Sequence, residues 1–116
     1  MSEILKDIHF DPFKWMEVEN KLRARFGKKP DLHTIVYLVG HRELGQAKAV
    51  FTKEEKQDLM HLGVCVLLSQ AGFYRFRHVD EDGWPHFEKV PGTPRLDGDM
   101  QDMLLKTMII QYFEKL

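Results

Sequence analysis

The sequence predicts an α+β fold that is mainly helical, with about four helices and one antiparallel β-hairpin. Apolar residues recur at helical spacing in four segments, and capping residues precede these segments. In addition, an Asp-Gly turn separates two short aromatic-rich runs. The length of 116 residues fits one globular domain over 1–116. The composition, 43% hydrophobic and 30% charged, is too apolar for a disordered chain.

The first helix is predicted at 12–26. Asp11 is a favourable N-cap, and Pro12 suits the first helical position because its missing N–H would be unpaired there anyway. Gly27 is a typical residue to end the helix, since glycine readily adopts a left-handed conformation.

The second helix is predicted at 31–44, with Asp31 as its cap. A competing interpretation is a buried strand, because the run at 33–39 is rich in β-branched residues. We favour the helix because the apolar spacing continues through 42–44 until Gly45 ends it.

The third helix, at 53–70, has the clearest start in the chain. Thr52 and Glu55 match a capping box, in which each side chain accepts a hydrogen bond from a backbone N–H of the other residue. The second half of this helix is apolar on nearly every side, which is typical of a buried helix. We therefore expect it to be the central helix of the fold.

A β-hairpin is predicted from strands at 73–79 and 84–90, joined by the acidic turn 80–83. Phe87 should lie beside Phe76, and Glu88 should form a cross-strand ion pair with an arginine. Alternation along the first strand gives two faces, one with Tyr74, Phe76 and His78 and the other with Arg75, Arg77 and Val79.

The last helix is predicted at 99–115, with Asp97 or Asp99 as its cap. We expect it to pack on the aromatic face of the hairpin, because an isolated hairpin is at best marginally stable in water. Residues 1–10 fit either a helical turn or an extended arm, and 45–51 are predicted to form a loop.

The predicted compartment is the cytoplasm. Cys65 is the single cysteine, so no disulfide can form within the chain. Glu3 and Asp7 interrupt the N-terminal segment, unlike the apolar stretch of a signal peptide. The longest apolar run, 64–68, is far shorter than the ~20 residues that span a bilayer, so no membrane association is expected.

Three segments carry a resemblance to a known family: Thr-Lys-Glu-Glu-Lys-Gln-Asp-Leu-Met-His at 52–61, Leu-Leu-Ser at 67–69 and Asp-Glu-Asp-Gly-Trp-Pro-His at 80–86. From about residue 31 onward, the chain resembles a family of short uncharacterised bacterial proteins of the Bacteroidetes type. The resemblance implies a cytoplasmic bacterial protein and assigns no functional residue.

One candidate site lies on the third helix, where Asp58, His61 and Cys65 fall on one face. Carboxylate, imidazole and thiolate all bind metals, but a structural zinc site normally has four ligands with closely spaced pairs. A Cys–His nucleophile pair is also conceivable, although a reactive thiol needs an exposed, electropositive setting. Burial of Cys65 in the core is the more common situation, so no metal or cofactor is predicted.

Two further groups suggest binding. Trp84 and His86 follow the acidic turn, and an exposed tryptophan there would favour a protein partner. A tryptophan in a strand more often packs against the protein itself. The second group is a basic stretch without any acidic residue, made of Lys21, Arg23, Arg25, Lys28 and Lys29.

The order of elements also resembles a winged-helix domain, with 53–70 as recognition helix and 73–90 as wing. A strand at 33–39 would improve this match. However, the start of the recognition helix and the tip of the wing are acidic, and carboxylates are repelled by DNA phosphates.

We therefore expect a small non-catalytic interaction domain that binds a protein partner or forms a homodimer through the hairpin edge or Trp84. The net charge of −1 gives no general reason to expect nucleic acid. A nucleic-acid-binding protein is the alternative, supported by the basic stretch. A metal-dependent or thiol enzyme using Asp58, His61 and Cys65 is the second alternative.

Overall fold

A computed structural model describes residues 9–45 and 50–116 of the chain, and its elements follow the predicted order. The described residues form helix α1 (Pro12–Phe26), α2 (Leu32–Leu44), α3 (Lys53–Ser69), strand β1 (Tyr74–Val79), β2 (Pro85–Lys89) and α4 (Gly98–Glu114). The predicted fold class, mainly helical α+β with one hairpin, is confirmed. Most of the segment 1–10, and of the predicted loop 45–51, lies outside the described residues. None of the described helices is long and apolar enough to cross a membrane.

The predicted capping residues begin all four helices. Asp11 and Asp31 each accept hydrogen bonds from backbone N–H groups of the first turn that follows them. Both hydrogen bonds of the capping box between Thr52 and Glu55 are present at the start of α3. Of the two candidates for α4, Asp97 is the cap, since its carboxylate accepts from the N–H two residues beyond Gly98.

The segment 33–39 is helical, so the strand interpretation is wrong. In α2 the buried residues are Ile35, Val36, Val39 and Gly40, which recur with the periodicity of one helix face. Packing of this face against α3 outweighs the β-propensity of the individual residues, because propensity is a weaker influence than tertiary contact.

Two glycines bring α2 and α3 into close contact. A Cβ atom added at Gly40 would overlap the backbone carbonyl oxygen of Leu59, and one added at Gly63 would overlap that of Val36. The two contacts are reciprocal, and their order along the chain shows that the helices are antiparallel. Glycine is required at both positions, since any other side chain would force the helices apart.

Helix α3 is the centre of the fold, as predicted. It packs on α2, α4 and β1, and Leu59 and Leu67 are completely buried. Its C-cap residue Gln70 donates a side-chain hydrogen bond of 2.8 Å to the carbonyl oxygen of Met108 in α4. Helix α1 packs mainly on α4, where Trp15 is buried.

The helix that mainly supports the hairpin is α3 rather than the predicted α4. The chain turns directly from α3 into β1, and the N–H of Phe73 donates to the carbonyl oxygen of Leu68. Phe73 is thereby buried, and the strand that follows it lies along α3. This short connection leaves little freedom to carry the hairpin to another helix.

Substitution of the contact glycines tests the close approach of α2 and α3. We expect Gly40→Ala and Gly63→Ala each to lower the free energy of unfolding by about 3 kcal/mol or more, because the added methyl group meets backbone that cannot rotate away. Urea denaturation measures the change. Gly98→Ala is the matched control, since a Cβ atom there meets nothing within 4 Å, and its stability should stay within about 1 kcal/mol of wild type. A mild effect at both contact positions would contradict the close packing.

Candidate functional site

The hairpin is antiparallel, and its register changes once along its length. Phe76 pairs with Phe87, as predicted, and their rings meet edge to face at 5.8 Å. His78, however, pairs with His86, so Arg77 is an extra residue on β1. This is a β-bulge, and beyond it every side chain of β1 lies on the opposite face from the one that simple alternation predicts.

The bulge moves two residues between faces. His86 lies two residues before Glu88 on the regular strand β2, and Glu88 pairs with Arg75, so His86 is on the charged face. His78 stacks on His86 with ring centroids 4.8 Å apart and is therefore on that face too. By the same reasoning Val79, which pairs with Pro85, lies on the aromatic face. The predicted positions of His78 and Val79 are wrong, because alternation does not reveal a bulge.

The predicted cross-strand ion pair is confirmed on the charged face. The Glu88 carboxylate contacts the guanidinium groups of both Arg75 and Arg77. All three side chains are more than one third exposed, and ion pairs in water contribute little to stability. They fix the outer face of the hairpin as a charged surface.

Asp80 organises the loop at the hairpin tip. One of its carboxylate oxygens accepts hydrogen bonds from the backbone N–H groups of Asp82 and Trp84, at 2.9 and 3.0 Å. The other oxygen is 2.7 Å from Nε2 of His86. These hydrogen bonds hold the pKa of the Asp80 carboxyl below its ordinary value; the one with His86 has the largest effect, and the one from the Trp84 N–H has the next largest. Gly83 closes the loop with a φ of 82°, a left-handed conformation that favours glycine.

The two residues predicted to bind a partner have different environments. His86 is exposed, whereas Trp84 is partly buried and packs against the hydrophobic core. The more accessible apolar side chains of the hairpin are Phe76 and Val79, each 54% exposed. Together with the partly buried Pro85 and Phe87, with which they pair, they form what we call the hairpin apolar face.

The sequence alone does not identify Phe76 and Val79 as binding residues. Alternation places Phe76 on an aromatic face, and the marginal stability of an isolated hairpin predicts that a helix covers this face. The position of Val79 depends on the bulge. No local signal in the sequence distinguishes a covered aromatic face from an open one, because the difference lies in which helix supports the hairpin.

On α3, Asp58 and His61 are exposed and Cys65 is buried, with only 4% of its surface accessible. The Cys65 Sγ atom lies 3.6 Å from Nε2 of His61. Burial raises the pKa of the Cys65 thiol to about 11, so the neutral thiol predominates at physiological pH. In the described part of the chain, no three His, Cys, Asp or Glu side chains are grouped as metal ligands. The arrangement suits a core thiol better than a nucleophile.

All five residues of the basic stretch are exposed, at the end of α1 and in the segment after it. Lys29 forms an ion pair with Glu19 at 3.0 Å. Among the described residues, the other four have no carboxylate within ion-pair distance; they are Lys21, Arg23, Arg25 and Lys28. Arg23 and Arg25 lie in the last turn of α1, where cations favourably oppose the helix dipole.

Comparisons with protein-family models, with curated proteins and with solved structures find no match to this chain. The resemblance to a bacterial family therefore stays a prediction. Inference about function rests on the surfaces described above, of which the hairpin apolar face is the most exposed apolar part of the sheet.

Substitution of Asp80 tests its role in the loop. We expect Asp80→Ala to lower the amide-exchange protection of the Trp84 N–H, because the acceptor of its hydrogen bond is lost. Asp80→Asn retains an oxygen acceptor but not the charge opposite His86, so its effect should be smaller. Glu81→Ala, at an exposed neighbouring position, is the control. Unchanged protection in Asp80→Ala would show that the loop is held by other contacts.

The lowered pKa of Asp80 also predicts an acid dependence. A carboxyl group with a lowered folded-state pKa stabilises the fold at pH values above its unfolded pKa of about 3.9, and this contribution is lost as the pH falls through the folded value. Protection of the Trp84 N–H should therefore stay constant near neutral pH and fall only below about pH 4. Loss of protection already at pH 6 would argue against this origin.

The thiol of Cys65 should react slowly in the folded protein. Both its burial and its raised pKa reduce the accessible thiolate. We expect a disulfide reagent to label it at pH 8 at least about 100-fold more slowly than in the urea-unfolded chain, since labelling must await local opening. A Gln57→Cys, Cys65→Ala variant, with its thiol on the exposed side of the same helix, should label rapidly. Equal labelling rates in folded wild type and in this folded variant would contradict burial of the second half of α3.

Proposed function

We propose that this chain is a small non-catalytic interaction domain that associates with a second copy of itself through the hairpin apolar face. The observation that carries the proposal is that Phe76 and Val79 are both exposed on one face of the hairpin, next to a strand edge. Exposed apolar side chains next to an open edge are typical of surfaces that bind another chain.

The edges of the hairpin support the proposal. Within the described residues the sheet has two strands, so each strand has a neighbouring strand on one side only. An open edge presents backbone N–H and C=O groups to which another strand can add. Side chains on the same face of the added strand would cover Phe76 and contribute the apolar contact that backbone hydrogen bonds alone lack.

The charge distribution favours a second copy as the partner. The segment 80–102, which includes the hairpin tip, holds seven acidic and two basic residues, whereas 21–29 holds five basic residues and no acidic one. Two copies can therefore place the acidic tip of each near the basic stretch of the other. A symmetric dimer would use both pairings at once.

The alternatives have less support. An enzyme using Cys65 would require a thiolate at a position where burial favours the neutral thiol. A winged-helix mode of DNA binding would place the start of α3 in the groove, but Glu54 and Glu55 make the first turn of α3 acidic. The cytoplasm is the proposed compartment, because a chain with one cysteine forms no internal disulfide.

Sedimentation over a wide range of protein concentrations tests self-association. We expect the wild-type mass to rise with concentration, and Phe76→Ser to weaken association by about tenfold or more, since buried aromatic contacts contribute strongly to interfaces. Phe13→Ser is the matched control, because Phe13 is 77% exposed on α1 and should not affect association. A strict monomer at all concentrations, or an equal effect of both substitutions, would contradict the proposal.

A DNA titration separates this proposal from the nucleic-acid alternative. We expect no binding that survives at moderate salt concentration, because the tip of the hairpin and the start of α3 are acidic. Salt-dependent DNA binding that is abolished by Lys28→Glu and Lys29→Glu would instead favour the alternative. The sedimentation properties of this double variant show whether the basic stretch also contributes to self-association.

A further inference from the structure

A cleft of about 430 Å³ lies between the C-terminal halves of α1, α2 and α4. Ligand sites in proteins commonly have volumes of about 300–1,000 Å³, so its size suits a small molecule. Most of its lining is apolar and includes Leu22, Phe26, Leu38, Val39, Phe113 and Leu116.

The apolar lining has a buried floor and open walls. Leu22 and Val39 belong to the hydrophobic core, and Leu38 and Phe113 are partly buried. Phe26 and Leu116 are 48% and 63% exposed, although they border an apolar space. A molecule with an apolar chain could cover these two side chains and remove their surface from water.

One side of the cleft is fixed by a polar network between α2 and α4. Arg42 donates hydrogen bonds to the Tyr112 hydroxyl at 2.9 Å and to Glu43 Oε2 at 3.2 Å. The Tyr112 hydroxyl in turn donates to Glu43 Oε2 at 2.8 Å. The charges of Arg42 and Glu43 compensate each other, so this side of the cleft presents no net charge.

Arg25 is the remaining arginine of the lining, and its charge is not compensated. Among the described residues, no carboxylate lies within ion-pair distance of its guanidinium group. The guanidinium carbon lies 5.9 Å from the centre of the Phe26 ring, which places the charge above an apolar wall of the cleft. The other titratable group of the lining is His41, whose ring contacts Phe51 edge to face at 5.4 Å.

We propose that this cleft binds a medium-chain fatty acid, with the alkyl chain between Leu38, Phe113 and Leu116 and the carboxylate at Arg25. An apolar space bordered by a single uncompensated cation complements a molecule that is apolar along most of its length and anionic at one end. The planar guanidinium group of arginine matches a carboxylate particularly well. This ligand site uses α1, α2 and α4 and none of the hairpin apolar face, but its Arg25 also belongs to the basic stretch that the proposed dimer places near the acidic tip of the second copy.

The test is an NMR titration of the full chain with sodium decanoate below its micelle-forming concentration. We expect saturable amide shifts centred on Leu38, Val39 and Phe113. Acetate, which has the carboxylate but no long alkyl chain, should cause none of these amide shifts. Affinity should rise from hexanoate to decanoate by up to about threefold for each added methylene, as the chain leaves water. Absence of saturation, or shifts centred elsewhere on the molecule, would overturn the site.

Decanol and variants of Arg25 test the role of the charge. Decanoate should bind about fivefold more tightly than decanol, the modest gain expected from a partly exposed ion pair. Arg25→Gln should remove this preference and leave decanol binding unchanged. Arg23→Gln, on the same helix and outside the cleft lining, is the matched control and should bind like wild type. Equal binding of decanoate and decanol by wild type would overturn the assignment of Arg25.

A further variant tests the apolar walls separately. Phe26→Ser removes a half-exposed side chain, so the fold should persist, as a well-dispersed NMR spectrum would show. We expect this variant to weaken decanoate and decanol equally, by about tenfold, because both lose the same apolar contact. If the affinity for both is unchanged, the alkyl chain does not occupy the cleft. Sedimentation of the same variant should match wild type, which separates the ligand site from self-association.

Discussion

The close contact of α2 and α3 at Gly40 and Gly63 is the constraint on which the rest of the structure depends. Because neither glycine has a side chain, the backbone of each helix lies against the other. The contact orients α3 so that its second half is surrounded by α2, α4 and β1. The position of Leu38 and Val39 in the cleft, and the direction in which the chain leaves α3 towards the hairpin, both follow from it.

The hairpin and the cleft differ in how their residues are held. In the hairpin, a bulge at Arg77 and the hydrogen bonds of Asp80 decide which side chains share a face. In the cleft, three helix ends converge, and hydrogen bonds between Arg42, Glu43 and Tyr112 join two of them. One surface therefore depends on strand register and the other on helix packing, so changes in one need not alter the other.

Cys65 shows how position in the fold determines chemistry. Cysteine and histidine one helical turn apart suggest a reactive pair, and their side chains do come within 3.6 Å. Yet α3 carries Cys65 into the core, and loss of hydration raises the pKa of its thiol. The same two residues at the exposed start of the helix would have a different reactivity. Proximity along a helix is thus insufficient evidence for a nucleophile.

The sequence by itself determined the elements of this protein, because their signals are local. Asp11, Asp31 and Thr52 cap helices through hydrogen bonds to residues two or three positions away, and helical spacing identified α3 as buried. It also predicted that Phe87 lies beside Phe76, although the register that pairs them depends on the bulge at Arg77.

Tertiary structure alone decided what depends on contacts between distant residues. The close contact at Gly40 and Gly63 required the backbones of two helices. The face on which Val79 lies depended on the bulge, and the cleft around Arg25 depended on three helices separated along the chain. Local patterns hold information about neighbours in sequence, whereas burial and shape arise from neighbours in space.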